Sequence, residues 1–140
     1  MMIQRTCVVM VVVLILAAGA IAATPDAKLP PLQKITGVQP KQNIFDAVRR
    51  KEPLVSRTTE DARAHFDDAN LKVLTEKVDF AHQIILVFAW RGSGQDRLEA
   101  QIAESFPEQI TFRLIPGRTR DLRPHLEIYA LRSNVKWSVR

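Results

Sequence analysis

IILVFAW, residues 84–90, has no charged or hydrogen-bonding side chain apart from the indole of Trp90, and it is rich in β-branched and aromatic residues. Such a run reads as a β-strand buried on both faces. Beyond it the pattern changes to alternation. RLEAQIAE, residues 97–104, places Leu98, Ala100 and Ile102 inward. ITFRLI, 110–115, does the same with Ile110, Phe112 and Leu114, and HLEIYALR, 125–132, with Leu126, Ile128 and Ala130. VKWSV, 135–139, closes the series with Val135, Trp137 and Val139. Four to five such segments with short turns between them predict an antiparallel β-meander. The RGSGQD turn reads as a hairpin loop whose glycines supply positive φ. Both tryptophans, Trp90 and Trp137, fall on inward positions and are expected in the core.

Upstream of the run the period is helical. Thr58-Thr59-Glu60-Asp61 has the form of a capping box, with acids where the helix dipole favours them. Ala62, Phe66 and Ala69, then Leu71 and Leu74, recur at helical spacing. They predict a helix over about 59–67 and a further turn or two through 71–77. NIFDAVRRK, 43–51, has room for two helical turns with Ile44, Phe45 and Val48 inward, and PLVS, 53–56, suits a short edge strand. The expected fold class is α+β: a meander of four to five strands with one or two N-terminal helices on one face. A small open β-barrel is the alternative. In the meander, the second face would carry Ile85, Val87, Ile115, Tyr129 and Leu131. That face would need a cover, from the 29–55 arm, or would serve as a binding surface.

The N-terminal segment has a separate logic. Arg5 precedes the uncharged apolar run of residues 7–22, which ends in Ala20-Ile21-Ala22, the small-x-small pattern of a cleavage site. This predicts a signal peptide cleaved after Ala22 and a secreted or periplasmic protein; an uncleaved N-terminal membrane anchor is the alternative. Cleavage would remove Cys7, the single cysteine, leaving a chain without disulfides or thiolate ligands. Residues 23–41, rich in proline, read as a linker or arm, and 42–140 as a single domain.

The whole chain carries 20 basic and 15 acidic side chains, net +5. Within 113–140 there are seven basic residues against two acidic ones. That bias permits an anionic partner. PGRTRDLRPH, 116–125, concentrates it: Arg118, Arg120 and Arg123 offer forked donors to carboxylate or phosphate, and His125 adds another. Two alternating strands separate this loop from RGSGQD, which puts both loops at one end of the sheet. Arg91 and Arg97 then approach the same place, so the candidate partner-binding residues are Arg91, Arg97, Arg118, Arg120, Arg123 and His125. The competing reading is an internal Arg–Asp network, through Asp96 and Asp121, that holds the two loops together.

Enzymatic chemistry has little support. GSG is followed by a strand, so the backbone N–H groups of a phosphate loop are missing. The three histidines show no metal-ligand spacing, and neither a metal nor a cofactor is expected. A hydrolase or metal-dependent enzyme using His125 with Asp96 or Asp121, or a Ser93–His125–Asp121 triad, remains a paper alternative. Inward tryptophans and an exported chain argue against nucleic acid as a partner.

Val78-Asp79-Phe80, the strand Ile84–Phe88 and Gly92 resemble the start of the β domain in exported proteins of the protease-complex-stability (PrcB-like) type. The likeness spans residues 78–102; the family's T-G-G-Y is replaced by Ser93-Gly94-Gln95-Asp96. It implies a non-enzymatic exported domain that binds another protein. The expected function is therefore a non-catalytic binding or stabilising module that meets a protein or anionic ligand through its arginine-rich loop end. A structural envelope protein is the third reading.

Overall fold

A computed structural model describes residues 29–49 and 51–140. The expected signal peptide, Cys7 and the first part of the arm lie outside them. Among the described residues no helix is long and apolar enough to cross a membrane.

The elements run β1 (Leu32–Ile35), α1 (Ile44–Ala47), β2 (Leu54–Ser56), α2 (Thr59–Arg63), α3 (Asp68–Lys77), β3 (Gln83–Gly92), β4 (Arg97–Ala103), β5 (Gln109–Ile115), β6 (Arg123–Arg132) and β7 (Lys136–Val139). The α+β class is correct, but the strands are more numerous than expected. They form two sheets, not one meander or a barrel. The first sheet has the order β1-β6-β3-β2, and the second β4-β5-β7. Pairing is antiparallel except for β5 with β7.

Of the meander's consecutive pairings only β4 with β5 forms. β3 does not pair with β4; it runs its whole length against β6, from Gln83 opposite Arg132 to Gly92 opposite Arg123. A strand apolar on both faces needs two covers, and here it has them. Ile85, Val87 and Ala89 pack with Ala62, Phe66, Leu71 and Leu74 of the helical layer. Ile84, Leu86, Phe88 and Trp90 pack with Leu98, Ile110 and Phe112 of the second sheet. The molecule thus has three layers, with β3 central to both cores. The register also divides the expected second face. Val87 lies opposite Ile128 and Ile85 opposite Ala130, so these four share the helical side. Tyr129 and Leu131 point to the second sheet instead. The chain's own β4–β5–β7 sheet supplies that cover, while Ile35, Val38, Ile44 and Val48 from the arm join the helical side.

Local signals were more faithful. Thr58 accepts from the Asp61 N–H, and the Asp61 carboxylate accepts from the Thr58 N–H, completing the capping box. Asp67 caps α3 by accepting from Asn70 N–H. β2 is the edge strand expected at 53–56. The Pro-rich stretch contributes a strand that its composition concealed: Leu32–Ile35 lies along β6. Between the sheets, Phe112 is fully buried, its ring centroid 4.8 Å from Phe88 and 5.2 Å from Tyr129. Burial raises the pKa of the Tyr129 hydroxyl, and its bond to Glu127 raises it further. Ile102, inward by alternation, is half exposed.

Candidate functional site

Gly92 of β3 and Arg123 of β6 form the last rung of the longest ladder. The loops 93–96 and 116–122 therefore leave the first sheet side by side, as expected, although 93–96 crosses between sheets and is not a hairpin. The chain turns sharply there, with Asp96 N–H donating to Ser93 O at 2.9 Å.

What joins the loops is mostly acid-to-backbone bonding. Asp96 is buried; its Oδ1 accepts from Gly117 N–H at 2.7 Å and its Oδ2 from the Trp90 indole at 3.2 Å. Asp121 accepts from Gly94 N–H at 3.0 Å. Ser93 Oγ accepts from Thr119 N–H at 3.1 Å and lies 2.6 Å from the Thr119 hydroxyl. The side chain of Gln95 accepts from Arg118 N–H. The His125 ring stacks on Trp90, with centroids 4.9 Å apart, and its Nε2 lies 2.7 Å from the Ser93 carbonyl. A carbonyl only accepts, so Nε2 carries the proton. Of the expected Arg–Asp network, the pair Arg123 Nε with Asp121 Oδ2 is present, at 2.5 Å.

The glycines of this end are needed for closeness, not for positive φ. Among the described residues only Gly37 has φ in that region. A Cβ on Gly117 would stand 2.5 Å from Ser93 Oγ and 2.6 Å from the backbone of Gln95, and one on Gly92 would collide with the Asp96 carboxylate.

The six candidate side chains share one end of the molecule but not one face. Arg91 lies on the helical side, its guanidinium 5.6 Å from the Phe45 ring centroid. Arg97 points to the outer face of the second sheet and pairs with Glu99 at 2.9 Å. Arg123 is held by Asp121 and His125 by Ser93. Arg118 and Arg120 sit exposed on the 116–122 loop, and neither guanidinium has an acidic partner among the described residues. The paper triad is not assembled: His125 Nε2 meets the carbonyl of Ser93, not its hydroxyl, and Asp121 is turned to Gly94 and Arg123. The Asp96 oxygens likewise serve Trp90 and Gly117. Sequence reasoning named Asp96 and Asp121 as acids that hold the loops but gave both arginine partners; it missed the Gly117 and Gly94 N–H groups and the Trp90 indole as donors, and Ser93 as a further pin. The only trace of Ser93 was a hydroxyl beside a glycine-containing turn.

Asp121 offers a test of the pinning. The Thr119 hydroxyl, the Gly94 N–H and Arg123 together lower its pKa from the ordinary 3.8 to about 2. A depressed carboxylate stabilises the fold fully above its unfolded pKa and loses that contribution as pH falls through the folded value. The Gly94 amide resonance is therefore expected to titrate with a midpoint near pH 2. A midpoint near 3.8 would mean that the loops are not joined at this acid.

No protein-family model, curated protein or solved structure matches this chain.

Proposed function

We propose that the protein is a non-catalytic binding module, acting outside the cytoplasm, that grips an anionic group of a partner protein through Arg118 and Arg120. The observation that carries this reading is the division of labour at the loop end. Asp96, Asp121 and Ser93 serve backbone N–H groups, the Trp90 indole and Arg123, so the loops are held without drawing on the guanidiniums of Arg118 or Arg120. Two exposed guanidiniums on a cross-braced loop lose little freedom when they meet a carboxylate or phosphate. Export rests on the apolar run and cleavage pattern of residues 1–22.

The test is capture from an envelope extract by the tagged protein and by its R118A/R120A variant. The wild type is expected to retain a partner whose apparent affinity falls at least about tenfold in the variant, in line with the loss of central arginine contacts. R123A, which removes a cation already paired with Asp121, is expected to do less. Equal capture by wild type and R118A/R120A would exclude this contact. Salt-sensitive retention on any anionic matrix, without saturation, would support the envelope-polymer reading instead.

A further inference from the structure

Beside the loop end, on the helical side, a groove of about 610 Å³ opens between the segment 39–45 and the start of β6. Its size lies within the range of ligand-binding clefts. The walls are apolar: Pro40 and Phe45 on one side, Pro124 and Leu126 on the other. Gln39 and Gln42 line it as well, and Arg91 is its single charged residue. The Arg91 guanidinium lies over the Phe45 ring and has no acidic partner among the described residues. The ring face attracts the cation without using its N–H donors, which stay available to an acid.

We infer that this groove seats an extended peptide segment of the partner, with a bulky apolar side chain in the groove and an adjacent Asp or Glu on Arg91. The inference rests on the binding-module reading and extends it to a second contact of stated chemistry. Charge complementarity selects the acid. A lone guanidinium at the rim of an apolar groove rewards a carboxylate beside an apolar group and rewards a neutral peptide much less. The side-chain amides of Gln39 and Gln42 each offer both a donor and an acceptor, which suits the backbone N–H and C=O groups of an extended chain. An apolar small molecule would use the walls but leave these polar groups without partners.

The experiment is selection of a random dodecapeptide library displayed on phage against three immobilised baits: wild type, R91Q and R118A/R120A. Arg91 is exposed, so R91Q is expected to fold. On the wild type, enriched peptides should place Asp or Glu next to a large apolar residue. On R91Q the apolar preference should persist and the acidic one vanish. The best peptide, fluorescently labelled, should bind R91Q about tenfold more weakly by anisotropy, as expected for loss of a charge pair. The inference is overturned by any of three results: no motif, an apolar motif without an acid, or acid enrichment that persists on R91Q. Acid enrichment lost on R118A/R120A but kept on R91Q would move the contact to the loop and also exclude the groove. The loop-end reading fails separately, when R118A/R120A leaves partner capture unchanged.

Discussion

Asp96→Ala is expected to cost about 2–4 kcal/mol of folding stability, far more than an ordinary loop substitution. Asp96 is 8 % exposed, and its carboxylate serves two donors from different parts of the chain, Trp90 Nε1 and Gly117 N–H. Truncation leaves both without it, and each buried donor so abandoned costs about 1–3 kcal/mol. Partial hydration of the loop keeps the sum below the upper limit. Asp96→Asn is expected to fall between Ala and wild type. Its amide oxygen can serve one donor, but its NH₂ then faces the other. Urea unfolding would rank the three proteins, and hydrogen exchange at Gly117 would locate the effect. If both variants unfold at the wild-type midpoint, Asp96 does not pin the loop end, and the scaffold proposed for Arg118 and Arg120 loses its basis.

Asp96 was legible as an acid that holds the loops, but its donors were not, because they depend on which strands meet. Features set by neighbours in sequence were legible: the Thr58–Asp61 capping box, the short edge strand at 54–56, the doubly buried run at 84–90. The alternation of Leu98, Ile110 and Phe112 was legible too. Strand pairing was not, because β3 finds β6 across two intervening strands and the choice depends on non-local burial. The same 93–96 turn could join a hairpin or bridge two sheets; only the second uses Gly92 and Gly117 as close-approach positions. Composition was misleading at β1, where four residues among prolines pair along β6. Grouping the arginines by loop placed them at the correct end. It could not tell that alternation along β3 and β4 sends Arg91 and Arg97 to opposite sides of the molecule.

Phe112→Ala is expected to have the largest effect, about 3–5 kcal/mol, the usual cost of emptying a buried aromatic site. The ring is fully buried between the sheets and touches Phe88 of β3 and Tyr129 of β6, so its loss opens a void at the centre of that interface. Against a typical domain stability of about 5–15 kcal/mol, this is a large share. The consequence should not stay on one side. Successive residues of β3 alternate between the two cores, so the strand cannot leave the second sheet and remain packed on the helices. Phe112→Ala is therefore expected to shift one shared transition, seen equally by tryptophan fluorescence, which reports on the sheet–sheet side, and by far-UV circular dichroism, which is weighted toward α2 and α3. Leu74→Ala, in the helical layer and equally buried, should move the same two signals together by about 2–5 kcal/mol. Separation of the probes in either variant would show that the layers unfold independently. The loop end springs from β3 and β6, which both cores share. Under independent unfolding it would be braced only by the layer that remained folded.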